Sequence, residues 1–352
     1  MVVFTAIGVG IITAAAGYGL VITASAFVVG LVTTVVLGAA LRALTPKMSI
    51  GGGSNRGYQT TAIGSALDHQ IIYGKMRVGG ARIYDEATAT NNQHLHRIIA
   101  VAGQEIQSFD EIYVNDELLT LDVNGDVTSP SKYSGKIRIK LHLGASDQAA
   151  DAFLVAESIH WTTQHTLSGI AYMYIRLAFD ADAFPNGIPE ITTVISGKKV
   201  YDPRTSTTVW SDNPALCIRD YLTSAYGIAE ETANIDDTLV ITAANICDQL
   251  VGSPVFKMYV GGEYKIKTVG NTDFTLYGSA NNNVGTVFIA TGFPTDQNES
   301  GIVETARYTC NGAFTTASTP YDMINAMLTS MDGSLWYSQG KWRMKPAYWT
   351  AP

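Results

Sequence analysis

The chain has 352 residues, 31 acidic and 23 basic, for a net charge of −8, and only 15% of residues are charged, against about 25% in an ordinary soluble domain. That balance excludes a dedicated nucleic-acid binder, which would carry a basic surplus, and the 46% hydrophobic content excludes a disordered chain. Three scattered cysteines, Cys217, Cys247 and Cys310, make no disulfide scaffold, and no CxxC pair points to zinc.

The charge deficit is uneven. Residues 1–41 carry no charge, and the first acid is Asp68. Arg42, Lys47 and Arg56 give the first 67 residues +3, so the rest must carry −11. An apolar head precedes an acidic, Gly-rich body.

In the head, Gly17-Tyr18-Gly19 separates two apolar arms, 2–16 and 20–41. Small residues recur every fourth position: Ala6, Gly10 and Ala14, then Ala26, Gly30, Thr34 and Gly38. Such a ladder lets helix backbones approach closely. Arg42 and Lys47 favour a helix C-terminus, and Pro46 stops it. A signal peptide would need a basic start, and none is present. The length suits a membrane span. A monomer core helix would need a polar face, and there is none. The expectation over 1–47 is an apolar helix or helical hairpin stored inside an oligomer.

Gly51-Gly52-Gly53-Ser54-Asn55 marks a flexible joint over 48–69. Alternating strands follow at Ile71–Tyr73, Met76–Val78, Ala81–Tyr84, Leu95–Val101, Ile112–Val114, Ile137–Leu141, Ala171–Leu177 and Thr192–Ile195. Their spacing and Gly/Asn/Asp punctuation predict antiparallel sheets or a barrel. A helix is expected from a cap at Asp212 or Asn213, with Pro214 in its first turn, to about Tyr226, stopping at Gly227. Asp236-Asp237 opens a second, with an apolar face at Leu239, Val240, Ala243, Ile246, Cys247 and Leu250. Thr319-Pro320-Tyr321-Asp322 opens a third in capping-box style. A hairpin closes the chain around Ser338-Gln339-Gly340. The whole reads as mainly β with a few helices (α+β): β-rich domains over 70–210, a helix-bearing domain over 211–252 and 304–352, and an inserted small β module at 253–303.

Chemical motifs are sparse. Asp122–Asp126 begins like a calcium loop but lacks the Gly at position six and the Glu at twelve, so a hairpin turn is expected. His94 and His96 share a strand face without a third ligand of evident spacing, and no metal site is assigned. Asp180, Asp182 and Glu190 flank a Pro/Gly loop, where acids are usually solvated, although paired acids could serve glycoside chemistry. Neither GxSxG, HExxH, a P-loop nor a dinucleotide fingerprint is present. No catalytic residue and no cofactor are assigned, and the expectation is a non-enzyme.

Several blocks, in order, carry a resemblance. They are Tyr73-Gly74-Lys75-Met76-Arg77-Val78-Gly79-Gly80, Leu95–Ala102, Ile112–Glu117, Gly187–Ile191, Gly197-Lys198-Lys199-Val200-Tyr201-Asp202-Pro203-Arg204, and Trp210-Ser211-Asp212-Asn213-Pro214. Arg307-Tyr308-Thr309-Cys310-Asn311-Gly312, the Thr319–Leu328 segment and Gly340-Lys341-Trp342 complete the set. Together they resemble the central tail hub (tip attachment protein J) family of long-tailed siphovirus bacteriophages, over roughly 70–352 less the insertion. The resemblance implies a homotrimer of β-barrel or sandwich hub domains at the distal end of the phage tail, within the virion. Its implied partners are the distal tail protein, the tape measure protein and other tail-tip proteins, with DNA passing through without specific binding. Family members usually continue into receptor-binding regions, so a host outer-membrane receptor would be met by regions beyond this chain. The head, residues 1–45, would plug the hub or contact the tape measure protein or host membrane. Two other classes compete: a membrane-active pore-forming protein for DNA delivery, and a cell-wall-degrading tail enzyme.

Overall fold

A computed structural model describes residues 62–63, 68–295 and 298–348. The strands run β1 (Ala62–Ile63), β2 (Gln70–Tyr73), β3 (Lys75–Val78), β4 (Ala81–Thr88), β5 (His94–Ala102), β6 (Ser108–Val114), β7 (Glu117–Leu118), β8 (Thr120–Leu121), β9 (Val127–Ser129) and β10 (Ile137–His142). Helix α1 (Ala152–Glu157), β11 (Ala171–Ala178), β12 (Ile191–Ser196), β13 (Lys199–Asp202) and β14 (Thr207–Trp210) follow. Then come α2 (Pro214–Thr223), α3 (Asp237–Cys247), β15 (Leu250–Pro254), β16 (Glu263–Thr268), β17 (Val287–Ile289) and β18 (Ile302–Ala306). Strand β19 (Gly312–Thr315), helix α4 (Pro320–Thr329), β20 (Ser334–Ser338) and β21 (Lys341–Lys345) close the fold. The fold is mainly β with a few helices.

Strand β11 shows how the pattern builds the first core. Its Ala171, Met173, Ile175 and Leu177 point into a sandwich core, while Tyr172 and Tyr174 point out the other way. The sandwich packs a five-stranded sheet, β1-β4-β5-β11-β10, on a four-stranded sheet, β3-β12-β6-β7. On the outer face, Leu154 of α1 and Trp161 cover Tyr172, Tyr174 and Ile98. Asp151 caps α1 by accepting from Leu154 N at 2.9 Å. This six-residue helix is too short for a periodic signal, which is why the sequence gives no sign of it.

The second core is helical. Helices α2, α3 and α4 bury Leu216, Tyr221, Val240, Ala244, Met323 and Met327 together. Asn213 and Thr319 cap α2 and α4 as expected, accepting from Ala215 N and Asp322 N. Helix α2 ends at Thr223, before the expected Tyr226. Ser224 Oγ donates to Asp220 O at 2.6 Å, and Tyr226 leaves the helix to hydrogen-bond Lys198.

Strand β2 and its antiparallel partner β19 lie between the cores. Ile72 and Ala313, opposite each other in register, enter the sandwich core. Ile71 and Phe314, the next pair, enter the helical core, as does Tyr73. Within residues 70–210, the β13–β14 hairpin sends Val200 into the helical core. The joint expected over 48–69 also contains structure, because Ala62 and Ile63 pair in parallel with Ala81 and Arg82.

Residues 250–306 form a third body of structure. Strands β15-β18-β16-β17 make a sheet over a core that includes Val255, Tyr264, Phe274, Phe288 and Val303. Its limits are slightly wider than 253–303, since β15 and β18 pair along Leu250↔Ala306 to Pro254↔Ile302. The apolar head lies outside the described residues, and so do its ladder positions Ala6, Gly10, Ala14, Ala26, Gly30, Thr34 and Gly38. No helix among the described residues is long and apolar enough to cross a membrane.

A Cβ on Gly197 would stand 2.2 Å from Ile72 O. Gly197→Ala must push β2 off its place, and overpacking of that kind costs about 1–3 kcal/mol. The expected result is a lower midpoint in which near-ultraviolet signals of both cores fall together. Gly252→Ala, whose new methyl would meet nothing closer than 3.5 Å, serves as the tolerated control.

Candidate functional site

Several of the motif residues, Tyr73, Gly74, Gly197, Cys310, Asn311 and Gly312, meet where the two cores join. Gly74 has φ +66°, and a Cβ there would lie 2.2 Å from Asn311 Oδ1 and 2.3 Å from Cys310 O. Only glycine fits such an approach. Asn311 Oδ1 then accepts from Lys75 N at 2.7 Å. Gly312 pairs in register with Tyr73. Gly197 N donates to Gly74 O at 2.7 Å, and Ile72 O accepts from both Lys198 N (2.9 Å) and Gln104 Nε2 (2.8 Å). Gly79 and Gly80 lie where the chain crosses from one sheet to the other. Gly80 has φ +70°, with Ala100 O 2.6 Å from where a Cβ would stand.

A polar cluster sits behind this backbone seam, with Tyr73 buried and Lys198, Asp220 and Tyr226 half-buried. Asp220 Oδ2 accepts from Tyr73 OH at 2.6 Å and from Lys198 Nζ at 2.6 Å, and Lys198 also donates to Tyr226 OH. Burial pushes the Tyr73 phenol well above its usual range, and the Asp220 carboxylate adds to that. For Lys198, burial opposes the charge, but Asp220 and Tyr226 outweigh it and the ammonium is held charged. Breaking such a pair by removing one member leaves an uncompensated buried charge.

A second polar set ties the helices together. Buried Asn213 donates from Nδ2 to Ala244 O (3.0 Å) and Asp248 Oδ1 (2.8 Å), while its Oδ1 caps α2. Pro214 occupies the first turn of that helix, where its missing N–H costs nothing. Arg204 bonds Asp202 through Nε and Nη2 and reaches Asp248 Oδ2 at 2.7 Å. Its hydrogen bonds to Asp202 raise its affinity for the proton. Tyr201 lies 4.7 Å under the Arg219 guanidinium, which is itself fixed by Asp237 at 2.7 and 2.9 Å. Pro203 lies in the turn between β13 and β14. Cys310 is buried and donates from its backbone N to Asp212 O at 2.6 Å. Burial, then Cys310, pushes the Cys217 thiol well up.

Arg77 stands apart from the seam. It packs over the Tyr113 ring at 4.1 Å, donates to Thr192 Oγ1 at 2.9 Å and pairs with Asp116. It locks β3 to β12 and to the β6–β7 turn.

The remaining polar motifs are occupied locally. His96 is buried between Thr88 Oγ1 (2.6 Å) and Tyr174 OH (2.8 Å), and burial lowers its affinity for a proton. The His94 ring centre lies 6.4 Å away. Asp122 Oδ1 accepts from Asn124 N and Asp126 N, closing the β8–β9 turn. Asp180 pairs with Lys136 at 2.6 Å. Among the described residues, no group of three or more His, Cys, Asp and Glu side chains could hold a metal ion.

Sequence reasoning missed Asp220, Tyr226 and Asp248. Asp220 carries a usable signal: it lies on a helix whose other residues are almost all buried, where a charge needs a partner.

No protein-family model matches the chain, and no curated protein matches it. Among solved structures, the chain is similar to one described as "Virion of native gene transfer agent (GTA) particle". The TM-score is 0.32 with 17% identity, over 51% of this chain and 39% of that one. A likeness of this extent carries no argument about function.

Asp212 gives the seam a pH dependence. Burial pushes its carboxyl up to about 6, and the charges of Asp248 and Glu263 add to this. The unfolded chain releases that proton near pH 4, whereas the folded chain holds it to about pH 6. Stability is therefore lost as pH rises between those values and stays lost above them. Asp212→Asn is expected to gain about 1–3 kcal/mol at pH 7 and nothing below pH 4, read from urea midpoints across pH.

Proposed function

We propose that the chain is a structural component of a bacteriophage tail tip: a trimeric central hub. In this reading it joins the distal tail ring and tape measure protein to the receptor-binding region and forms the conduit for DNA ejection. The observation that carries the reading is the ordered set of hub-like blocks. Residues far apart in those blocks, such as Gly74, Gly197 and Asn311, fall on one seam and serve packing there. A part that must hold its shape in an assembly needs such a seam.

Composition supports the same reading. An acidic body repels phosphate and suits a conduit through which DNA slides without sticking. Closed symmetry would satisfy short edge strands between copies. The uncharged head, with its small-residue ladder, would bundle on the symmetry axis as a plug. It would be released to the tape measure protein or the host membrane when the tip engages its receptor.

The uncharged run also favours a second reading, a membrane-active pore. Leakage of liposomes by the head alone, without the body, would support that alternative. Clearing of cell-wall material by the purified body would support an enzyme.

The test is assembly. The body should run as a trimer by mass and bind a distal tail ring; a strict monomer that binds no ring contradicts the hub. Tails carrying a deletion of residues 2–41 should assemble but leak DNA or fail to deliver it. Normal ejection from such tails would sink the plug.

A further inference from the structure

The terminal hairpin differs in charge from the acidic body before it. Lys341, Arg343 and Lys345 are the only charged residues after Asp332, while residues 68–332 together carry −14. The hairpin register places all three on one face. Ser334 lies opposite Lys345, Trp336 opposite Arg343, and Ser338 opposite Lys341. The other face, with Leu335, Trp342 and Met344, packs on the helical core. Arg343 is partly engaged by Asp236 at 3.2 Å. Lys341 and Lys345 are exposed and have no ionic partner among the described residues.

The hairpin also has an open edge. Among the described residues, strand β20 pairs with β21 alone, whereas the far side of β21 is covered through Ile235 and Asp236. With a two-residue turn at Gln339-Gly340, Ser334, Trp336 and Ser338 bond to β21. The backbone groups of Leu335 and Tyr337 then face outward. Strand β20 reads Ser-Leu-Trp-Tyr-Ser, with no charge, proline or bulge. Natural proteins usually blunt an exposed edge with one of these. At its foot lies an open depression of about 430 Å³, lined by Ser334, Trp336, Lys345, Pro346 and Tyr348 among others.

We propose that β20 is a docking edge for an extended acidic polypeptide segment, which adds to the hairpin as a third strand. Backbone groups of Leu335 and Tyr337 hold its main chain. An added strand lies about 10 Å from β21, two strand spacings away. Ser334 and Ser338 are small, so Lys345 and Lys341 can lean across them to carboxylates four residues apart on the newcomer. An apolar side chain of the newcomer lies beside Leu335 or Tyr337, and the depression beside Trp336 takes another group. Single-stranded nucleic acid suits the surface less well. Within strands β20 and β21, Trp336 is the one aromatic ring on the cationic face, where a strand of bases needs a series of stacking platforms.

The experiment titrates the full chain with the extended peptide acetyl-Glu-Val-Thr-Val-Glu-amide, its Lys-Val-Thr-Val-Lys counterpart, and oligo-dT. The acidic peptide should bind, quench Trp336 and slow amide exchange at Leu335 and Tyr337. The doubly substituted K341E/K345E chain, both sites being exposed, should keep its thermal midpoint and bind that peptide at least tenfold more weakly. Backbone N-methylation of the peptide should abolish binding. The proposal fails if both peptide charges bind alike, if oligo-dT is preferred, or if the two amides stay unprotected. It also fails if the chain self-associates through this edge and takes no peptide, which would give the edge to a second copy. None of these outcomes depends on the tail-hub reading.

Discussion

The carbonyl of Ile72 is the point on which the fold turns. It accepts two hydrogen bonds, from Lys198 N and from Gln104 Nε2, while the Ile72 side chain fills the sandwich core and its neighbours Ile71 and Tyr73 fill the helical core. One short strand is therefore a wall of both cores. Strand β19 repeats the arrangement through Ala313 and Phe314. Side-chain alternation with period two usually separates a core from solvent; here it separates one core from another. Three glycines follow from this geometry. Gly74 and Gly197 each stand where a Cβ would lie within about 2.3 Å of a backbone carbonyl, and Gly80, at the crossing between sheets, within 2.6 Å of Ala100 O.

The polar seam extends the same logic. Half-burying Lys198 and Asp220 costs desolvation that their attraction repays only with good geometry and further hydrogen bonds. Tyr73, Ser224 and Tyr226 supply those bonds. The cluster joins β2, the segment after β12 and helix α2, three elements that belong to different parts of the sequence. Asn213, Arg204 and Asp248 do the same for α2, the β13–β14 turn and α3. Asp212 works against stability at neutral pH, since its carboxyl is held near 6 by burial.

Local signals in the sequence were sufficient for most elements. The alternation of β11, the caps at Asn213 and Thr319, and the Gln339-Gly340 turn are all set within a few residues. What failed depended on distant partners. The end of α2 moved because Tyr226 turns toward Lys198, 28 positions away in sequence. The strand at Ala62–Ile63 exists by pairing with β4, which no feature of a Gly-rich stretch announces. Helix α1 is too short to have a period. For the site, residue types flagged Gly74, Gly197 and Asn311 as members of one family pattern, but only the fold brings them to one place. The ladder in the head remains a feature of sequence alone.

A chain whose motif residues serve mutual packing is suited to keep a fixed shape inside an assembly, and this links the seam to the proposed role. The claim beneath that role is that the two cores are one cooperative unit. Native-state amide hydrogen exchange tests it most directly. The amides of Lys198 and Gly197, of Ile99 and Ile175 in the sandwich, and of Leu222 and Val240 in the helical core should all exchange through one opening. Its free energy should match that of global unfolding and share its denaturant slope. A separate, lower-energy opening of α2, α3 and α4, with the sandwich still protected, would contradict the account.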